Sequence, residues 1–337
     1  MNIAATRVGS IIHGALGDCY EQLVCLKEYK EHNENIELIL FFAVENRYRA
    51  FRHFNLDFAH EIYTAEQIPN INVDVYYQFQ IHDKELQEEL ICNLSVRIRN
   101  KLDMKMNVLP WQLIRKHEFS KSPLELSLSE RGIKYLTSIK KILNIDENGI
   151  VSKYKIGFLW RYRKKGLIDS FGQFSQETVF SNINSLLGIL VEDYNAHIFV
   201  CGMNYGALEQ LGCYRDIVQE AGLALGERKN NFIDKRFTIP DDSVTYLLGA
   251  GYAIELELMS HCDLILTMPS GFSEPLWMMQ KQPVVMLFPP LKYLLKLWRR
   301  RMNLFNHNTL HGKLFNSFTF HSPSNVIAYL KKRGYLH

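Results

Sequence analysis

The sequence has 337 residues, of which 47% are hydrophobic and 22% charged, with a formal net charge of +3. Its length is about twice that of one ordinary domain, so two globular domains are expected. The apolar-to-charged balance excludes a disordered chain, and so small a net charge, with no basic run interleaved with aromatics, excludes a nucleic-acid binder.

The N-terminal stretch MNIAATRVGSIIHGALGD lacks the basic and long apolar regions of a secretory leader. No uncharged run reaches the roughly 18 residues that a spanning helix needs. A cytoplasmic protein is expected. Cys19, Cys25, Cys92, Cys201, Cys213 and Cys262 form no C-x-x-C pair and no zinc-spaced cluster, which predicts reduced thiols and no structural metal.

Along the chain, Val8–His13 reads as a strand ending at Gly14, and Cys19–Tyr29 as a helix with apolar residues at the helical period. Ile36–Phe42 reads as a second strand, completing a βαβ unit, and Val73–Phe79 as a third. Lys84 to Leu143 reads as mostly helical, broken at Pro110 and Pro123. The polar stretch Asn144–Lys153 reads as a linker, which puts the domains at 1–150 and 151–337. The alternation then restarts: strand Lys155–Trp160, helix Gln176–Glu192, strand His197–Cys201 ending at Gly202. A long helix over Ser243–His261 is predicted next, with Asp241 and Asp242 capping its start. Strand Asp263–Met268, helix Phe272–Gln280, strand Pro283–Phe288 and helix Ser324–Arg333 complete the reading. The class is α/β, in two consecutive units.

Three glycine-containing turns fall at the carboxyl ends of strands, where open α/β sheets bind ligands. In His13-Gly14-Ala15-Leu16-Gly17-Asp18, glycines let the backbone approach an oxyanion at a helix start. Asp18 there is either a general base for a bound hydroxyl or a helix cap. Arg161, Arg163, Lys164 and Lys165 follow the strand KIGFLW and are either a solvated loop or a grip on a diphosphate. Met268 to Glu274 runs from a strand through Pro269-Ser270-Gly271 into a helix whose first turn holds Ser273 and Glu274. This is either an ordinary βα turn or a site where hydroxyls and N–H groups hold phosphate and Glu274 accepts from sugar or ribose hydroxyls.

The pattern strand, PSGFSE, helix, KQPVV resembles the donor-binding segment of GT-B glycosyltransferases. GALGD followed by a helix and a strand resembles the N-terminal signature of heptosyltransferases, whose Gly-Asp turn supplies the proposed base, here Asp18. Their Thr/Ser-Gly-x-Ser-His turn matches Ser270, Gly271 and Ser273, with Glu274 where they carry His. The run IGFLWRYR is similar to the strand-plus-arginine segment of GDP-fucose-dependent enzymes, where arginine holds the diphosphate.

The resemblance implies two Rossmann-like domains facing across a cleft, an N-terminal acceptor domain and a C-terminal donor domain, with the last helix packing back on the first. It implies an inverting, metal-independent glycosyltransferase in surface-polysaccharide assembly, with no cofactor, acting between a nucleotide-sugar donor and a glycan or lipid-linked glycan acceptor. Donor-binding positions are then Gly14, Gly17, Arg161, Arg163, Lys165, Gly202, Ser270, Gly271, Ser273 and Glu274. His82 and Asp83, after the third strand, are either acceptor contacts or ordinary loop groups. Residues 291–301 (LKYLLKLWRRR) form a basic amphipathic stretch that either lies on an anionic membrane face or packs on the core. A nucleotide-sugar epimerase of the same fold and a non-catalytic nucleotide-binding module are the competing readings. A dehydrogenase fits less well, because GALGD is not G-x-G-x-x-G and the second strand is followed only by Glu45.

Overall fold

The computed structural model describes residues 5–14, 16–43, 45–64, 73–79, 103–108, 113, 124–145, 150, 153–159, 176–201, 238–247, 250–267, 273–279, 281–287, 315–318 and 322–337. The chain divides into two compact units, Met1–Glu130 and Arg131–His337.

In the first unit, β1 (Thr6–Ile12), α1 (Leu16–Glu31), β2 (Ile36–Phe42), α2 (Glu45–Phe51), β3 (Glu61–Thr64), β4 (Val75–Phe79) and β5 (Asp103–Val108) follow one another. The strands form one parallel sheet in the order β3-β2-β1-β4-β5. β2 is apolar except for Glu37, and β1 is buried from Val8 to Ile12, because both faces of a parallel sheet are covered. On one face Ile11, Ile39, Phe41, Val73 and Tyr76 form a core cluster. Elsewhere in the unit, edge and tilted ring contacts link Phe42 to Phe51, Phe51 to Phe54 and Phe54 to Tyr20 of α1. Residues 124–129 lace back onto the turn after α2: Asn55 N–H donates to Ser127 O, Ser129 N–H to His53 O, and Leu126 N–H to Tyr20 Oη at 3.2 Å.

The second unit takes in most of α3 (Glu130–Ile142) and then β6 (Tyr154–Leu159), α4 (Gln176–Tyr194), β7 (Ala196–Cys201), β8 (Val244–Tyr246), α5 (Tyr252–Ser260), β9 (Leu264–Thr267), α6 (Ser273–Met278), β10 (Val284–Leu287), β11 (Phe315–Phe318) and α7 (Pro323–Lys332). These strands also form one parallel sheet, in the order β11-β10-β9-β6-β7-β8. α3 and α4 both stop at an asparagine in the left-handed region, Asn144 (φ 51) and Asn195 (φ 49), a common helix ending. Ser322 caps α7 by accepting from Asn325 N–H, and Pro323 opens the helix. The buried face of α7, Val326, Ile327 and Leu330, packs with α4 into the core of the second sheet, and Tyr154 Oη donates to Tyr335 O at 2.5 Å.

Two sequence expectations are corrected. Within Lys84–Leu143, where helix was expected, Asp103–Val108 is a strand, β5, paired with β4, while Glu130–Ile142 is the helix α3. Ser243–His261 is not one helix: residues 241–243 form a single 3-10 turn, β8 pairs with β7, and the helix begins only at Tyr252. Asp241 and Asp242 therefore open a strand rather than cap a helix. The β-forming Val244-Thr245-Tyr246 and the left-handed Gly251 (φ 92) override the apolar periodicity.

Both sheets share one plan. The first strand is central, the next two build outward on one side, and the chain then crosses to the other side. The reversal falls between β1 and β4 in the first unit and between β6 and β9 in the second. A doubly wound sheet opens a crevice at that point, outside the carboxyl ends of its strands.

Candidate active site

At the carboxyl end of β1 the chain leaves the sheet at His13, turns at Gly14 and enters α1 at Leu16. Gly14 has φ +97, a conformation that side-chain-bearing residues rarely adopt. A Cβ there would sit 3.0 Å from Asp18 Cβ and 3.2 Å from its Oδ2, so the Asp18 side chain folds back over Gly14. Gly17 is buried in the first helical turn, and Asp18 is half-buried beside it. A carboxylate at this place faces the positive end of the helix dipole, worth about 0.3–1 kcal/mol.

Three side chains that the sequence reading did not single out shape this turn. The Gln22 amide brackets the backbone of His13, accepting from His13 N–H at 3.1 Å and donating to His13 O at 2.9 Å. Arg47, from α2, donates through Nε to Gly14 O at 2.9 Å. The His13 ring is 2% exposed. Burial lowers its pKa to about 4, while the nearby Phe79 backbone and the Asp18 carboxylate oppose the fall, so the ring is neutral at neutral pH. Cys19 is buried against the same turn, where burial pushes its thiol up to about 12 and removes it as a nucleophile. The one available signal was polarity out of place: Glu21 and Gln22 interrupt a stretch of α1 that is buried from Cys19 to Leu26.

In the second unit the switch point lies between two paired strand ends, Leu159 of β6 opposite Thr267 of β9. The basic segment containing Arg161, Arg163 and Lys165 follows β6 in sequence, and the segment containing Ser270 and Gly271 follows β9. Ser273 opens α6 and is fully buried, with Glu274 next in that helix. One strand over, Cys201 Sγ at the end of β7 donates to Glu255 Oε2 of α5 at 2.9 Å, both groups buried. This thiol–carboxyl contact, just before Gly202, is a further buried polar group that the sequence did not reveal.

The structure thus brings Gly14, Gly17 and Asp18 into one turn and sets Ser273 beyond the end of β9. His82, Asp83, Arg161, Arg163, Lys165, Gly202, Ser270, Gly271 and the stretch 291–301 lie outside the described residues, as does the Glu274 side chain. Cys19, Cys25, Cys201 and Cys262 are buried free thiols. Among the described residues no helix is long and apolar enough to cross a membrane.

No protein-family model matches the sequence, and no curated protein matches it. Solved structures do match in fold. The ADP-heptose LPS heptosyltransferase II of E. coli superposes with a TM-score of 0.55 at 12% identity, over 97% of this chain and 98% of its own. A family 9 glycosyl transferase from Veillonella parvula gives 0.55 at 11% identity, over 99% of this chain and 98% of its own. The E. coli heptosyltransferase WaaC with ADP gives 0.52 at 10% identity, over 97% and 100%. With two sheets of this strand order, the chain has the GT-B fold, built from two Rossmann-like units.

Proposed function

We propose that this chain is a glycosyltransferase that moves a sugar from a nucleotide-sugar donor to a hydroxyl of a glycan or lipid-linked glycan acceptor. The observation that carries the reading is Asp18, in the first turn of α1 at the switch point of the first sheet and folded over Gly14. The fold-level likeness to heptosyltransferases along nearly the whole chain supports it.

In this mechanism Asp18 takes the proton of the acceptor hydroxyl as that oxygen attacks the anomeric carbon. The bond to the nucleotide diphosphate breaks, and the diphosphate leaves with the bonding pair. A single base and direct attack give inversion. Arg161, Arg163 and Lys165 neutralise the developing charge in place of a metal, with Ser270, Gly271, Ser273 and Glu274 completing the donor site and Gly202 flanking it. His82 and Asp83 contact the acceptor. The first unit takes the acceptor and the second the donor, with the last helix held in the second unit against α4 rather than returning to the first. Surface-polysaccharide assembly at the inner face of the membrane, with 291–301 resting on that face, is the setting this reading implies.

The test has two stages. Melting is followed with UDP, GDP, CMP or ADP, and one base is expected to stabilise the protein above the others by mass action. Nucleotide sugars of that base are then offered with and without glycan acceptors. Asp18→Asn is expected to keep the nucleotide shift and lose about 10²–10⁴-fold in kcat. Near-normal turnover in that variant removes Asp18 from the role of base, and donor consumption that needs no acceptor would transfer the reading to an epimerase.

A further inference from the structure

We infer that Gln22 is a positioning residue for Asp18, with Arg47 as its auxiliary: together they fix the β1–α1 turn in the one shape that presents the carboxylate. The inference rests on the assignment of Asp18 as base and adds the residues that hold it. The starting point is where the sheet stops supporting the chain. Ala43 N–H donates to Ile12 O as the last rung between β1 and β2. Beyond it, His13 N–H, His13 O and Gly14 O have left the ladder, and His13 is buried away from water.

Buried backbone groups must be bonded, and here side chains do it. Gln22 Oε1 accepts from His13 N–H, Gln22 Nε2 donates to His13 O, and Arg47 Nε donates to Gly14 O. Cys19 Sγ adds a weak contact to Gly14 O at 3.9 Å.

Geometry then ties these bonds to Asp18. Residues four apart on a helix stand on one face, so Asp18 and Gln22 share a face of α1. Gln22 is 2% exposed, which holds its amide in a single setting. The bracket therefore sets the height and rotation of the first turn of α1 relative to the end of β1. Arg47 sets the carbonyl of the residue over which Asp18 folds. Glutamine is the side chain this job needs, because it presents a donor and an acceptor together; glutamate loses the donor and methionine both.

The test measures the bracket and its consequence separately. Hydrogen–deuterium exchange is followed over residues 8–31 in wild type, Gln22→Met and Gln22→Glu. Gln22→Met is expected to speed exchange at the turn and the first turn of α1 while β2 stays protected. Unchanged exchange at the turn overturns the bracket, whatever the activity. Turnover is measured with the nucleotide sugar chosen by the melting screen. Gln22→Met is expected to lose about tenfold or more in kcat, with donor KM and nucleotide-induced melting shift unchanged and Gln22→Glu intermediate. A kcat within about twofold of wild type overturns positioning. If Gln22→Met fails to fold, Arg47→Met at its half-buried site carries the same two measurements. Asp18→Asn runs in parallel: if it stays active while exchange at the turn responds to Gln22→Met, the base assignment has failed and the bracket stands.

Discussion

The two sheets repeat one topology, yet the tips of their central strands are finished differently. β1 and β6 each carry a glycine as their fourth residue, Gly9 in TRVGSII and Gly157 in YKIGFL, and each strand stands first in its sheet's winding. Past its last rung β1 passes within four residues into α1, and the turn is closed by side chains and bears an acid. β6 is followed instead by a basic run beginning at Arg161. The topology therefore repeats, while the residues just past the central strand differ in charge. In the proposed mechanism the acid on one unit removes a proton and the bases on the other meet the departing diphosphate.

The largest effect that sharpens this contrast is expected at Gly14. Gly14→Ala forces a side chain into a left-handed backbone and pushes a methyl to within 3.0 Å of Asp18 Cβ. The turn is expected to shift, with kcat falling about a hundredfold from displacement of the carboxylate alone. A Gly14→Ala enzyme with wild-type kcat would show that the turn's shape does not matter.

The paired glycines give the next effect. At Gly157 an added Cβ would lie 2.5 Å from Ile265 Cδ1 and 2.6 Å from Met259 Cε, both fully buried, because α5 presses closely on β6. At Gly9 the nearest atoms, Phe41 Cε2 and Val73 Cγ1, lie 3.2 Å away. Gly157→Ala is expected to cost about 1–3 kcal/mol from overpacking. Gly9→Ala should fall within about 1 kcal/mol of wild type, since the lower entropy of the unfolded chain offsets a small displacement. Equal losses in urea unfolding would mean that the two strands are equally crowded.

The same contrast explains how much could be read in advance. β1, β2, β6 and β9 were legible because strands buried on both faces are short, nearly continuous apolar runs set off by glycine or polar residues. The Gly14–Asp18 turn was legible because glycine and aspartate next to a strand end leave few alternatives. β5 was missed although Met104, Met106 and Val108 alternate with polar residues, because the helical pattern on either side swamped a six-residue signal. β8 was missed because three strand residues ran into an apolar helix without a polar break. Gln22 and Arg47 carried no period at all. Their contacts run from side chain to backbone over 9 and 33 residues of chain, a relation that exists only once β1, α1 and α2 are packed.

The smallest effect separates two buried histidines, one in each unit. His197, near the start of β7, is 3% exposed and its Nε2 is 2.8 Å from Thr245 Oγ1 of β8, whereas the His13 ring, 2% exposed, lies near the Phe79 backbone and the Asp18 carboxylate. His197→Leu leaves Thr245 without that partner and is expected to cost about 1–3 kcal/mol, while His13→Leu, which strands no hydroxyl, should cost less. Both rings are held near pKa 4, chiefly by burial, below the unfolded value of 6.5. The unfolded chain therefore binds more protons between those values, so their contribution to stability is complete above pH 6.5 and drains away as pH falls toward 4. At pH 5.5 each ring should already have lost on the order of 1 kcal/mol. A variant lacking one of them should show a flatter decline in melting temperature over that range than wild type, beyond the baseline set by carboxylate titration. If His13→Leu instead destabilises the protein as much as His197→Leu, the ring at the end of β1 is held as firmly as the one in β7, and the first switch point is more tightly built than its bonds imply.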